Sequence, residues 1–149
     1  MKLSLFLRQG EAGLTLVEVV LATATAALSI GGTIYGYIRA AQSAEWSAYH
    51  LAAHSLAMQR VEQCRAAKWD LNADPVVDNL VDAYFPKIIE IIDIPISNTN
   101  FVYATNWTTI TDLSTTPPLK MIRVDCTWYF NPSGRAFTNT VISYRAPDQ

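Results

Sequence analysis

Charge is scarce in this chain. Only 16% of its 149 residues are Asp, Glu, Lys or Arg, and the formal net charge is −2. Because proteins that bind nucleic acid usually carry a basic patch, this composition argues against direct binding of nucleic acid. The sequence also lacks the G-x-G-x-x-G, P-loop and G-x-S-x-G motifs of nucleotide-binding proteins and serine hydrolases. We therefore expect no catalytic residues and no cofactor.

Proline is missing from the first half of the chain, and glycine is nearly missing from the rest. The first of seven prolines is Pro75, whereas all of the six glycines but Gly134 lie within residues 10–36. Since proline breaks helices and marks turns, the composition predicts helix before Pro75 and turns and strands after it. The length suits one domain, or an anchor followed by a small domain.

Residues 14–38 form an apolar run in which the one charged residue is Glu18. As a helix the run would rise about 37 Å, at about 1.5 Å per residue, which is enough to cross a hydrocarbon core. Lys2 and Arg8 precede it, so the positive-inside rule predicts a single-pass topology with the N-terminus in the cytoplasm and everything after Arg39 outside. A cleaved signal peptide is less favoured, because the apolar run is too long and contains a carboxylate.

Glu18 raises a physical question, because a carboxylate in the hydrocarbon core costs about 2.5–3.5 kcal/mol. It can lie near the cytoplasmic interface and reach water, which explains why it is tolerated but gives it no role. Alternatively, it can pair with a cation in an assembly, since buried charges persist when they are paired.

The segment GLTLVEV, residues 13–19, resembles the processing site of type IV prepilins and type II secretion pseudopilins. In that family a prepilin peptidase cuts after the glycine on the cytoplasmic side, the new N-terminal residue is methylated, and the fifth mature residue is glutamate. The resemblance implies a leader at residues 1–13, cleavage after Gly13, N-methylation of Leu14, and Glu18 as the fifth residue. A cut after Gly10 would not place a glutamate fifth.

The resemblance also implies a function and partners. The protein would be a minor structural subunit of a type II secretion pseudopilus or type IV pilus, held in the bacterial inner membrane before assembly, with Glu18 pairing with the N-terminal ammonium of a neighbouring subunit. Implied partners are the prepilin peptidase/methyltransferase, other pilin or pseudopilin subunits, the inner-membrane assembly platform and membrane lipid. Residues 56–70, LAMQRVEQCRAAKWD, are similar to the I-type pseudopilin and V-type minor pilin subgroup. The alternative is an envelope binding or enzymatic domain tethered by an uncleaved signal anchor.

The apolar run continues into residues 39–69, which are rich in good helix formers and predict one helix over residues 14–67. Its outer half is amphipathic, with an apolar stripe expected to pack on the C-terminal sheet: Ala41, Ala44, Ala48, Leu51, Met58 and Val61. Within the apolar half, Gly32 and Gly36 form a GxxxG pattern. Such glycines let helices approach closely, but they also loosen a helix, and both interpretations stay open.

Residues 70–149 predict a small globular domain, which gives an α+β, pilin-like fold in which the long helix packs on an antiparallel sheet. The clearest strand is residues 120–130, where apolar and polar residues alternate with a period of two. The turn NPSG follows, and residues 135–145 return, so residues 119–145 should form an antiparallel hairpin. The other predicted elements are a short helix at 76–84 and strands at 87–94 and 101–107.

Two cysteines, Cys64 and Cys126, lie near the predicted helix end and on the helix-facing side of the hairpin. Outside the cytoplasm a disulfide between them is permitted, and it would join helix to sheet. Two buried, unpaired thiols, which behave as small apolar side chains, are the other possibility.

Two groups of polar residues have the spacing of weak metal sites. His50 and His54 share a helix face, but no third ligand is indicated, so we expect two solvated histidines. Four aspartates repeat every four residues and imitate part of a calcium loop, but Pro75 occupies the place of the required glycine. A solvated acidic edge is therefore favoured over calcium binding, and no metal site is predicted. The aspartates are Asp70, Asp74, Asp78 and Asp82.

Overall fold

A computed structural model describes residues 15–92 and 101–148. The chain divides after Ala41 into two compact units, which are described separately below. The predicted processing site, Gly13 and Leu14, lies outside the described residues. Within the described residues the elements are α1 (Leu16–Ala66), β1 (Trp69–Asp70), β2 (Val77–Asp78), β3 (Ile88–Ile92), β4 (Val102–Thr115), β5 (Pro118–Phe130) and β6 (Arg135–Arg145), with 3₁₀ turns at Asp82–Tyr84 and Asn131–Ser133.

Helix α1 covers 51 residues and agrees closely with the predicted 14–67. It ends without a glycine or proline, because its last carbonyls find a partner on β6. The Arg145 guanidinium donates to the carbonyl oxygen of Cys64 at 3.2 Å and also to that of Ala67. These bonds satisfy carbonyl groups that a helix C-terminus otherwise leaves without intrahelical partners. The sequence therefore forms one long helix, which together with the antiparallel sheet gives an α+β fold.

The four-stranded sheet has the order β3-β4-β5-β6, and every neighbouring pair is antiparallel. The predicted hairpin is present: β5 and β6 pair from Lys120↔Arg145 to Phe130↔Arg135. The Gly134 N–H donates to the carbonyls of Phe130 and Asn131, at 3.0 and 3.2 Å, which includes the bond expected of a type I turn. Gly134 has φ 65°, in the left-handed region that favours glycine, so this residue lets the chain reverse.

Strand β4 is longer than predicted. It continues from the expected residues 101–107 through a threonine-rich run to Thr115, where it pairs with Pro118 at the start of β5. A shift of register between Asp112 and Ser114 interrupts the pairing. Residues 108–115 show no clear apolar alternation, but β-branched threonine suits extended backbone. Pairing with β5 therefore extends the strand beyond the apolar residues that identify it in the sequence.

The core of the second unit lies between the outer half of α1 and one face of the sheet. The alternation predicted for β5 is confirmed: Ile122, Val124, Cys126, Trp128 and Phe130 are all buried. The apolar stripe predicted for the helix is wrong except for Val61, since Leu51 and Met58 are 69% and 41% exposed. The helix instead buries a different set of residues, most of them small. They are Tyr49, Ala53, Ala57, Arg60, Val61 and Cys64.

The size of the sheet residues explains this choice of helix face. The rings of Trp128 and Phe130 lie 5.8 and 6.2 Å from that of Tyr49, measured between centroids. Large aromatic groups on the sheet fill the space beside a helix face that presents alanine, so the two surfaces pack at high density. If the helix presented Leu51 and Met58 to the sheet instead, large side chains would face the large aromatic rings, and the helix and sheet could not pack as closely.

The helix predicted at residues 76–84 is wrong. Val77–Asp78 pairs with Trp69–Asp70 as a short ribbon, and only the last residues form a 3₁₀ turn. The reason is a set of long-range bonds from the buried Lys120, whose Nζ donates to Asp78 Oδ2 at 2.6 Å and to the Leu80 carbonyl at 2.8 Å. Leu80 is itself fully buried. These contacts hold the segment extended and override its local helical preference.

Candidate functional site

The first turn of α1 is closed by reciprocal hydrogen bonds between Thr15 and Glu18. The carboxylate oxygen Oε2 of Glu18 accepts from the Thr15 backbone N–H at 2.8 Å and from its hydroxyl at 3.0 Å. In return, the Glu18 N–H donates to Thr15 Oγ1 at 3.3 Å. This arrangement is a capping box, in which a Thr at the N-cap and a Glu three residues later satisfy each other's backbone N–H groups.

The capping box gives Glu18 a structural role that the sequence analysis missed. The signal was available, because T-x-x-E before an apolar run is the sequence pattern of a capping box. The structure places the carboxylate at the start of the helix, where negative charge also interacts favourably with the helix dipole. Both bonds from Thr15 use Oε2, and Oε1 has no partner among the described residues. Within residues 15–92 and 101–148, nothing thus prevents this second carboxylate oxygen from accepting a further donor.

The helix that follows Glu18 is exposed over its whole apolar length. Every residue from 15 to 41 is exposed, including the large aliphatic side chains. The helix is long and apolar enough to cross a membrane by length and composition. A core helix of a water-soluble protein would instead bury one of its faces.

The hydroxyl groups in this apolar segment are satisfied within the helix. Each Ser or Thr of residues 19–38 donates to a backbone carbonyl three or four residues earlier, at 2.8–3.0 Å. These residues are Thr23, Thr25, Ser29 and Thr33. In hydrocarbon an unsatisfied polar group costs several kcal/mol. The hydroxyls therefore add little to the cost of placing this segment in lipid.

Tyr35 and Arg39 form a polar pair one helical turn apart at the end of the apolar segment. The Arg39 Nε–H donates to the Tyr35 hydroxyl at 3.0 Å, and the guanidinium carbon lies 5.3 Å from the centre of the tyrosine ring. Tyr37, two residues before the arginine, is 76% exposed. Tyrosine and arginine next to an apolar span are typical of a membrane–water interface.

Gly32 and Gly36 lie in the exposed part of α1 with open space around them. A Cβ atom added to either one would meet nothing within 4 Å. Their predicted role in helix packing thus concerns contacts with other molecules and stays a prediction.

The possible disulfide between Cys64 and Cys126 is not formed: both cysteines are free thiols, and both are fully buried in the core between helix and sheet. Burial raises the pKa of each thiol to about 11. In the case of Cys126 the negative charge of Glu90 adds to this effect. The two thiols therefore act as small core residues, which is the second of the two possibilities that the sequence left open.

The two histidines do not form a metal site with other residues. Both histidines are exposed, and His50 also makes contacts at the edge of the core: its Nδ1 lies 3.2 Å from Asn139 Nδ2, and its ring stacks on Trp46. Asn139 is held in turn by the Trp128 indole, whose N–H donates to Oδ1 at 3.1 Å. Among residues 15–92 and 101–148, no three His, Cys, Asp or Glu side chains are grouped so that they could hold a metal ion.

Three of the aspartates of residues 70–82 accept hydrogen bonds from the protein, a role beyond the predicted solvated edge, while Asp74 and Asp82 are exposed as expected. Asp78 binds the buried Lys120, and Asp82 Oδ1 accepts the backbone N–H of Ile110 at 2.6 Å. Asp70 accepts two backbone N–H groups of its own turn. Asp78 and Asp82 thus fasten the segment after the helix to the sheet, a role that spacing in the sequence does not reveal.

These observations define the class of the protein: an α+β protein with one membrane-length N-terminal helix that begins at a capped, negatively charged turn. No family model, curated protein or solved structure matches the chain.

Proposed function

We propose that this protein is a minor structural subunit of a type II secretion pseudopilus or type IV pilus. It is held in the bacterial inner membrane by its N-terminal helix, with the chain after Arg39 outside. A prepilin peptidase removes residues 1–13, the new N-terminus at Leu14 is methylated, and the subunit enters a filament together with other pilin or pseudopilin subunits at the inner-membrane assembly platform. Its role is assembly, without catalysis. Its fold is of the pilin type.

The observation that carries this proposal is the geometry of Glu18. Its carboxylate lies in the first turn of a helix whose next 20 residues carry no charge. Thr15 holds it through Oε2, and Oε1 has no partner among the described residues. A fixed carboxylate with one free oxygen suits a cationic partner, and the resemblance at residues 13–19 names that partner as the ammonium of a neighbouring Leu14.

The apolar segment supports the same proposal. Its exposed side chains suit contact with lipid before assembly and with other helices after it, and its Ser and Thr hydroxyls are satisfied in both surroundings. The open space around Gly32 and Gly36 leaves room for close approach of a neighbouring helix.

Intact-mass measurement tests the processing step. The full chain is expressed with and without a prepilin peptidase and extracted from membranes, and its intact mass is measured by mass spectrometry. We expect the peptidase to remove residues 1–13 and to leave a methylated Leu14. Gly13→Leu should abolish cleavage, and the matched change at the other leader glycine, Gly10→Leu, should leave it intact.

An intact leader on the wild-type chain in the presence of an active peptidase would contradict the proposal. Retention in the membrane with the leader intact would favour the tethered envelope domain. A chain that carbonate washing removes from the membrane would contradict both functions.

A further inference from the structure

The two charged residues that flank the apolar segment are separated by about the thickness of the hydrocarbon core of a bilayer. Glu18 and Arg39 are 21 positions apart, and no residue between them is charged. In a helix this separation is about 32 Å along the axis. The hydrocarbon core of a bilayer is about 30 Å thick. Both charges can thus lie at opposite interfaces while all residues between them remain in hydrocarbon.

Each end of the apolar segment carries groups that favour a polar environment. At one end, the capping box fixes the carboxylate of Glu18 beside Thr15 and the first, unsatisfied N–H groups of the helix. Moving this turn into hydrocarbon would bury a charge together with free backbone donors, at a cost of several kcal/mol. This end therefore resists entry into the hydrocarbon core.

At the other end, Tyr35 orients Arg39. The tyrosine hydroxyl accepts the Nε–H, and the guanidinium lies over the ring, so the side chain runs back along the helix towards the apolar segment. Its two terminal NH₂ groups have no partner among residues 15–92 and 101–148. A guanidinium with free terminal nitrogens is suited to bidentate contact with a phosphate. The phosphates of phospholipids lie at this depth, just outside the hydrocarbon core.

We propose that Arg39, positioned by Tyr35, binds the phosphate of a phospholipid headgroup, and that this contact and Glu18 together fix the depth of the helix. The inference rests on the proposed membrane-spanning role of α1. It places the centre of the bilayer midway between the two charges, at Leu28 and Ser29. Thus residues 19–38 span the hydrocarbon core, and the hydroxyl of Tyr35 reaches the interface through its bond to Arg39.

Spin-label depth measurements on the full chain in phosphatidylethanolamine–phosphatidylglycerol vesicles test this register. Single cysteines replace Leu21, Ala24, Leu28 and Ile34, and the relative accessibility to oxygen and to a water-soluble nickel complex gives the depth of each label. The buried native thiols should not react, which the unsubstituted chain checks. We expect the greatest depth at Leu28. A maximum at Ala24 or at Ile34, about one helical turn or more away, would overturn the register.

The role of Arg39 is tested with Arg39→Gln and with vesicles of a galactolipid, which has no phosphate. Without the outer contact, Glu18 should draw the helix towards its own side, so the depth maximum should move towards Ile34 in both cases. Arg65→Gln, which removes an exposed arginine outside the span, should leave the profile unchanged. An unchanged profile for Arg39→Gln would overturn the phosphate contact.

The same labels separate this inference from the proposed function. If all four labels are accessible to the nickel complex, the helix does not span the bilayer and the proposed function fails with it. If the labels are deep but centred elsewhere, only the register and its phosphate contact fail.

Discussion

Replacing Glu18 by Gln separates two roles of one carboxylate. A glutamine at this place can still accept the Thr15 N–H, because Glu and Gln both complete a capping box. It carries no charge, however, so it cannot neutralise an incoming ammonium. Thr15→Ala is the complementary change, since it removes the cap and leaves the charge in place.

The expected magnitudes differ by more than an order of magnitude. Leaving an ammonium without its partner in apolar surroundings costs about 3–5 kcal/mol, which corresponds to at least about a 100-fold loss of incorporation. Loss of a threonine N-cap costs about 1 kcal/mol, or about fivefold. We therefore expect Glu18→Gln to be incorporated far more poorly than Thr15→Ala, although Glu18→Gln disturbs the helix less.

The assay is the ratio of subunit in sheared filaments to subunit in the membrane, measured by quantitative mass spectrometry beside the wild type. The same spectra establish that each variant has lost residues 1–13, so that a failure of cleavage is not mistaken for a failure of assembly. Normal incorporation of Glu18→Gln would refute the ion pair. Equal defects in both variants would show that the cap, and not the charge, is what assembly requires.

Three further predictions concern the second unit, residues 42–149. Cys64 and Cys126 should not react with a thiol reagent at pH 8 in the folded chain, because both are buried. Burial also raises the pKa of both thiols to about 11 from an ordinary 9.0. The free energy of unfolding in urea should therefore fall between about pH 9 and 11, where only the unfolded thiols ionise. Ala57→Leu should lower the free energy of unfolding by about 1–3 kcal/mol through overpacking, whereas Met58→Leu on the exposed face should change it little in the same tryptophan-fluorescence titration. Lys120→Met should cost about 1–3 kcal/mol, because it leaves the buried Leu80 carbonyl and the half-buried Asp78 carboxylate without their donor, and an unchanged urea midpoint would contradict the structural role of this lysine.

The helix and the hairpin could be predicted because their signals are local. Strand β5 alternates regularly from Ile122 to Phe130, and a turn sequence follows it, so neighbouring residues alone identify the hairpin. The helix face was not predictable in this way. Alanine occurs on several sides of α1, so spacing allows more than one stripe, and the aromatic groups of Trp128 and Phe130 decide which side is buried. That information lies about 70–80 residues further along the chain.

The same distinction holds for the candidate site. The Thr15–Glu18 capping box involves four consecutive residues, so the T-x-x-E pattern alone could have predicted it. The extended segment around Asp78 could not, because its partner Lys120 lies 42 residues away and is itself a buried cation, which composition does not lead one to expect.

The hydroxyl groups of the apolar segment affect how the helix could move from lipid into contact with other helices. Thr23 and Thr25 each donate to a carbonyl of their own helix, so the bond travels with the chain when lipid is exchanged for protein. Threonine in a helix has two accessible χ1 states, and a turn about that single bond can redirect the hydroxyl to an adjacent helix. The backbone ladder stays closed throughout. Under the proposed function, rotation of these side chains would be enough for the subunit to leave the bilayer and dock, without first opening its main chain.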